Sequence, residues 1–325
     1  MKIKTKICSL ILLSIIAISA ATQNVLANEE IDEYSINEKI AAIGFGKFFV
    51  SDSKKEITNL FKKIDNYTEK QDLRKLKEFY DDNFINNDGF DKDTYFKAVK
   101  TAFDNYKYTS ANTEVKNVAV FDNYAIALVT ENSEGETLKD GENDNGLIIS
   151  SADIYYYLTR EGRKWKISSA TVMDEKCSIL YGEAKNIYFS LNVPLQVKAG
   201  SEYTSSLSFQ PTKTHIVMAA LSNEPITFPS QGLKKESYKT IKNDGILERI
   251  LISNKDKYNE YAVASIGITA PELNGTKITV KLVGTAYVIR RVNVLSTKLQ
   301  KVETPKSKKL NVNDECVTEH VKEEK

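Results

Sequence analysis

The fold is decided above all by residues 150–167, which read SSADIYYYLTREGRKWKI. Every second residue from Ala152 to Leu158 is apolar, which is the period of a strand that covers a core with one face. The turn Glu161-Gly162 then leads into another strand, which contains Trp165. The pattern predicts an antiparallel hairpin with one covered face.

Three amphipathic helices are predicted before this hairpin. The first begins at a capping box formed by Ser53 and Glu56, the second begins at Asp72, and the third begins near Asp91 or Asp93. Apolar residues recur at helical spacing in each, so each helix needs a sheet to cover one face. The predicted strands of that sheet cover residues 114–121, 123–131, 150–160 and 164–173.

Several short motifs accompany this order of elements. They are Asp72-Leu73, Tyr80-Asp81-Asp82-Asn83-Phe84, Asp88-Gly89 and the closing pattern Gly162-x-x-Trp165-x-Ile167. Together, over residues 53–173, they resemble the NTF2-like superfamily in its SnoaL-like branch. The resemblance implies an α+β cone, three helices on a curved antiparallel sheet with one pocket. Some members of the family use the pocket for catalysis and others only for binding, and relatives often pair through the open face of the sheet.

From residue 187 onward the period is that of strands alone. Roughly seven or eight short strands separated by turn clusters predict an all-β, immunoglobulin-like sandwich, although no Cys-Trp-Cys pattern accompanies it. Arg249, Arg290 and Arg291 flank apolar strand positions, which is compatible with an anionic ligand site or with surface charge pairs, and we expect the charge pairs. The expected organisation is a signal peptide (1–27), a lead-in segment (28–52), an NTF2-like domain (53–176), a β-sandwich domain (177–302) and a disordered charged tail (303–325).

The N-terminus has the features of a cleavable secretory signal. Lys2, Lys4 and Lys6 precede an apolar run from Ile7 to Ala21, which is short for a membrane span, and Ala27 ends a small-residue cleavage site. We therefore expect a bacterial envelope protein, secreted or periplasmic, with no membrane span after cleavage. Removing three lysines and no acids takes the net charge from +1 to −2, so nucleic-acid binding is not expected.

The resemblance also implies where a catalytic base would lie. Ketosteroid-isomerase-like relatives place a carboxylate just beyond the second helix, and that position falls on Asn87, whose amide cannot accept a proton. An enzyme of this kind would have to use Asp88, one residue on, or another acid of the pocket, with tyrosine partners. Asp88-Gly89 is, however, also typical of an ordinary turn.

Aromatic residues are frequent in residues 53–173 and supply the candidates for a ligand pocket. These candidates are Tyr67, Tyr80, Tyr95, Tyr155, Tyr157 and Trp165. They would bind a small hydrophobic ligand. The alternative is that they fill the core and a homodimer face, since their helical and strand periodicity already accounts for them.

No metal or cofactor is expected. His215 and His320 are the only histidines, and the acidic loop 140–146 lacks the glycine and glutamate of a calcium loop. We therefore predict an exported, non-catalytic binding or protein-interaction module. The alternatives are an isomerase- or dehydratase-like enzyme that acts on a small hydrophobic substrate, and a structural envelope protein.

Overall fold

The structure is a computed structural model that describes residues 47–138, 145–210, 215–230, 237–241, 245–274 and 277–295. The predicted signal peptide, most of the lead-in segment and the charged tail lie outside the described residues. So does most of the acidic loop 140–146.

Three α-helices occur in the described part of the chain: α1 (Lys47–Glu69), α2 (Leu73–Lys77) and α3 (Lys92–Asn105). The predicted starts of the last two are confirmed. The Asp72 carboxylate accepts a hydrogen bond from the Lys75 amide at 3.0 Å, and the Asp91 carboxylate accepts one from the Thr94 amide at 2.8 Å. The predicted start at Ser53 is wrong, because α1 is already helical there and buries Ser53.

Most of the described residues form strands. They are β1 (Tyr80–Ile85), β2 (Tyr106–Phe121), β3 (Tyr124–Thr137), β4 (Leu147–Glu161), β5 (Lys164–Gly182), β6 (Phe189–Asn192), β7 (Gln196–Lys198), β8 (Glu202–Phe209), β9 (Ile216–Pro225), β10 (Lys239–Thr240), β11 (Ile246–Ile252), β12 (Glu260–Asn274) and β13 (Lys277–Leu295). A 3₁₀-helix, Glu183–Asn186, follows β5. Leu73, Leu76 and Tyr80 follow helical spacing in the sequence, but the helix ends at Lys77 and Tyr80 begins β1, which pairs in parallel with β5.

One large sheet runs through the whole described chain. Its strand order is β10-β9-β12-β13-β5-β4-β3-β2, with β1 attached to β5 and β7 attached to β13. β5 is the central strand, because its first half pairs with β1 and its second half, from Lys176 to Gly182, pairs with β13 along the same edge. The residues predicted as an NTF2-like domain (53–176) and those predicted as a β-sandwich domain (177–302) are therefore joined by backbone hydrogen bonds.

The predicted fold class, an α+β NTF2-like cone followed by an all-β immunoglobulin-like sandwich, is wrong. The described chain is mostly strand, and its large, chiefly antiparallel sheet continues across the boundary predicted at residue 176. A second sheet among the described residues has three strands, β11-β8-β6, and packs on the late strands of the large sheet. This second core includes Leu191, Leu207 and Leu251 from the small sheet and Ala264 and Val288 from the large one.

A glycine pair allows β13 to lie beside β5. Gly182 and Gly284 are partners in the register, and Gly182 has a φ of +54°, which is unfavourable for other residues. A Cβ on Gly182 would lie 2.2 Å from the Val283 carbonyl oxygen, and one on Gly284 would lie 2.7 Å from the Ala184 amide nitrogen. The junction between the two regions therefore requires close approach of their backbones.

Candidate functional site

The helices cover one face of strands β2 to β5, and strand parity decides which side chains reach that face. On β3 the alternate residues Ala125, Ala127 and Val129 are buried against the helices. Glu131 is the next residue in this alternation, so its side chain is directed to the same face. On β4 Tyr156 has the same orientation, between the buried Ile154 and Leu158. A carboxyl and a phenol are thus directed towards the space under α1 and α3.

This space contains a cavity of about 60 Å³. Apolar side chains from α1, α2 and α3 form much of its wall. Its polar lining consists of Asp65, Thr68, Tyr80, Tyr95, Tyr108, Thr113, Glu131, Asn132, Ser133 and Tyr156. Asn132 is the exposed member of this set.

Glu131 is the carboxyl with the most strongly altered pKa in the cavity. Burial raises its pKa to about 7, and the nearby charge of Asp65 also raises it. The Tyr156 hydroxyl donates a hydrogen bond to Glu131 Oε1 at 2.7 Å, which stabilises the ionised form and limits the rise of the pKa. Near neutral pH, Glu131 is therefore present in both protonation states.

Two further tyrosines extend the hydrogen-bonding surface of the cavity. The hydroxyls of Tyr80 and Tyr95 lie 3.3 Å apart, and either can be the donor. Their rings pack with centroids 5.4 Å apart. Burial raises the pKa of both phenols, so both keep their protons at neutral pH and can donate to an oxygen in the cavity.

Asp65 is the second carboxyl on the cavity. It accepts hydrogen bonds from the backbone amide of Thr113 at 2.9 Å and from the Thr113 hydroxyl at 2.5 Å. Burial raises its pKa despite these bonds. Both of its oxygens are used to hold β2 against α1, so Asp65 is fixed in place beside Glu131.

The ligand candidates predicted from the sequence occupy three different places. Tyr80 and Tyr95 lie on the cavity, whereas Tyr67 and Trp165 line a separate groove on the outer side of α1. Tyr155 and Tyr157 alternate with Tyr156 and are therefore half-buried on the opposite face of the sheet. The structure brings together only the first pair in the cavity.

Asp88 does not line the cavity but belongs to a buried network, which we call the arginine clasp. Arg291 on β13 is fully buried, and its guanidinium donates to the two Asp88 carboxylate oxygens at 2.6 and 3.2 Å. It also donates to the Asn87 side-chain oxygen at 3.1 Å. Glu175 lies 3.7 Å from Arg291 and accepts a 2.8 Å hydrogen bond from the Tyr261 hydroxyl. The expectation that Arg291 forms a surface charge pair is therefore wrong.

The sequence analysis missed Glu131, Tyr156 and Asp65. A signal for the first two was present, since Glu131 continues the odd-numbered apolar positions of β3 and Tyr156 belongs to the apolar positions of β4. Tyr155 and Tyr157, which were predicted as ligand contacts, have the opposite parity on β4 and lie on the other face of the sheet. Nothing in the sequence around Asp65 distinguishes it from the other acids of α1.

The described residues contain no group of three or more His, Cys, Asp or Glu side chains that could hold a metal ion. Within the same residues, no helix is both long enough and apolar enough to cross a membrane.

Comparisons with known proteins give little similarity. No protein-family model matches the chain, and no curated protein matches it. One solved structure that matches is described as a "Putative Scytalone Dehydratase" from Novosphingobium aromaticivorans. It is 12% identical, covers 37% of this chain and 82% of its own, and superposes with a TM-score of 0.28. A similarity of this size assigns no family to the chain.

Proposed function

We propose that the cavity is an acid–base site in which Glu131 moves a proton on a small carbonyl or hydroxyl compound. The observation that supports this most directly is the Glu131 carboxyl, which is held by the Tyr156 hydroxyl at 2.7 Å and has its pKa raised to about 7. A general acid or base is most effective when its pKa lies near the working pH. Its other oxygen, Oε2, accepts no hydrogen bond from a described residue and is the atom that would take up the proton.

The neighbouring phenols would stabilise the negative charge that this proton transfer creates. Removing a proton beside a carbonyl places negative charge on the carbonyl oxygen, and fixed donors stabilise that charge. Tyr80 and Tyr95 keep their protons at neutral pH and are buried in the cavity wall. The volume of about 60 Å³ corresponds to about two water molecules, so it holds a reacting group rather than a large substrate.

Exchange of carbon-bound protons tests this proposal without knowledge of the natural product. The full chain is incubated in D₂O with a panel of small ketones, aldehydes and β-hydroxycarbonyl compounds, and loss of the α-proton signal is followed by NMR. We expect at least one compound to exchange about 10²-fold faster with the wild-type chain than with Glu131→Gln. The rate should change with pH around neutrality.

Glu134→Gln is the matched control, because Glu134 lies on the same strand and is exposed, and its substitution removes the same charge. This variant should exchange at the wild-type rate. Equal rates for the wild-type chain and Glu131→Gln with every compound of the panel would contradict the proposal.

A non-catalytic binding or protein-interaction module is the second candidate, and the small volume of the cavity favours it. In that case small carbonyl compounds would shift cavity resonances without exchanging protons, equally in the wild-type chain and in Glu131→Gln. Export through residues 1–27 and pairing through the half-buried face that carries Tyr155 and Tyr157 remain predictions. Sedimentation of the purified chain over a range of concentrations tests the pairing.

A further inference from the structure

A second concave surface lies on the outer side of α1 and is separate from the cavity. This outer groove encloses about 470 Å³, which is within the usual range of small-molecule sites. Its floor contains Tyr67, Phe79 and Trp165, with the first two rings 6.0 Å apart. Tyr67 and Phe79 are half-buried, so they offer apolar surface that is covered only in part.

Basic side chains dominate the wall of the outer groove. Lys63, Lys75, Arg163, Lys164 and Lys166 line it, against two acids, Glu56 and Glu78. Lys75 pairs with Glu78 at 2.9 Å, and Lys166 pairs with Glu161 at 2.7 Å.

The other acid of the wall, Glu56, also has hydrogen-bond partners within the chain. Glu56 accepts hydrogen bonds from Trp165 Nε1 at 3.1 Å and from Arg160 at 3.2 Å. Lys63, Arg163 and Lys164 have no ion-pair partner among the described residues, and all three are exposed. The groove therefore has three uncompensated positive charges.

The free charges come from two different elements that line the groove. Lys63 belongs to α1, one turn before Tyr67, whereas Arg163 lies in the turn between β4 and β5 and Lys164 begins β5. A ligand in the groove would thus meet cations from α1 and from the start of β5. Arg163 has a planar guanidinium that matches a carboxylate or sulfonate.

We propose that the outer groove binds a small organic anion with an aromatic body, such as an aryl carboxylate or sulfonate. The aromatic floor would contact the body of the ligand, and Lys63, Arg163 and Lys164 would neutralise its charge. Charge complementarity selects this class over neutral apolar compounds, and the enclosed volume selects it over extended acidic chains. The proposal is independent of the acid–base chemistry of Glu131.

The chain carries its own reporter for this site, since Trp165 is its single tryptophan. The probe is 1-anilinonaphthalene-8-sulfonate, an aromatic sulfonate that accepts excitation energy from tryptophan. Quenching of Trp165 emission is titrated against this probe and against N-phenyl-1-naphthylamine, which has the same aromatic body without the charge. We expect saturable binding of the sulfonate, at least tenfold tighter than that of the neutral compound and weakened by added salt.

The variant Arg163→Glu/Lys164→Glu reverses two of the free charges, both of them on exposed side chains, and should weaken sulfonate binding at least tenfold. Lys176→Glu is the matched control, because Lys176 is exposed on the same strand but far from the groove. It should bind as the wild-type chain does. Circular dichroism of all three proteins checks that the fold is kept.

Equal affinity for the charged and neutral compounds would overturn the proposal, as would unchanged sulfonate binding in the double variant. Displacement of the sulfonate by an oligoglutamate at lower concentration than by benzoate or naphthoate would also overturn it. That result would assign the groove to an acidic protein partner instead.

Discussion

Replacing Asp88 by asparagine should destabilise the whole chain, because it leaves the buried Arg291 without its main counter-charge. The Asp88 and Arg291 side chains are both 0% exposed. Asp88 also accepts a hydrogen bond from Asn259 at 2.9 Å, so three donors point at its carboxylate. Asparagine keeps the size of the side chain but loses the charge and presents an N–H₂ group towards some of these donors.

The magnitude follows from the cost of an unpaired buried charge. Breaking a buried ion pair by removing one partner costs about 3–5 kcal/mol of unfolding free energy. Glu175, at 3.7 Å, is the next acid near Arg291, but burial raises the pKa of Glu175 to about 8, so it is a weak counter-ion at neutral pH. We therefore expect Asp88→Asn to lie within that range.

Urea denaturation followed by Trp165 fluorescence and by circular dichroism measures the effect. The two signals should give one shared transition, because the sheet is continuous and the arginine clasp joins the turn after β1 to β13. Asp82→Asn is the matched control. The Asp82 side chain is 89% exposed and pairs with Lys92 at 2.7 Å, so Asp82→Asn should unfold close to the wild-type urea midpoint.

A loss of less than about 1 kcal/mol in Asp88→Asn would refute the importance of the clasp. Two separate transitions in the wild-type chain would refute the single cooperative unit. Asp88 does not line the cavity, so any proton exchange per folded molecule should survive the substitution. Loss of proton exchange in a folded Asp88→Asn variant would instead indicate a catalytic role for Asp88.

Three other substitutions test the junction, the cavity and the clasp. Gly182→Ala should lower the urea midpoint clearly, because its Cβ would meet the Val283 carbonyl oxygen at 2.2 Å, and an unchanged midpoint would contradict the described junction. Tyr156→Phe removes the hydrogen bond that lowers the pKa of Glu131, so the Glu131 carboxyl carbon should titrate at higher pH by NMR than in the wild-type chain; a lower pH would contradict this. The folded chain holds the Glu175 proton up to about pH 8, whereas the unfolded chain releases it near 4.5, so this group's contribution to stability is lost as pH rises through that window. Urea titrations at several pH values should show this loss in the wild-type chain relative to Glu175→Gln, and a constant difference between the two would count against it.

The sequence determined the local elements of this protein well, because their causes are local. Asp72 and Asp91 cap helices through amides three residues away, and this spacing is visible in the sequence. Alternating apolar residues predicted the strands, and the strands predicted over 114–121 and 123–131 are confirmed as antiparallel partners, with Phe121 opposite Tyr124.

The tertiary structure alone decided how these elements combine. Tyr80 follows an apolar helical pattern, yet it forms a strand because the edge of β5 is available to pair with it. The same edge pairs with β13, more than a hundred residues later in the chain, and this pairing merges two regions that had been predicted as separate folds. Strand periodicity records which face of a strand is covered but not which strand lies beside it.

The same limit applies to the site. Parity alone places Glu131 and Tyr156 on the covered face, so the sequence contained their orientation. It did not contain the burial that raises the pKa of Glu131, because that burial comes from helices packed over the strands. Asp88 and Arg291 are 203 residues apart, and only the shared edge of β5 brings them into contact.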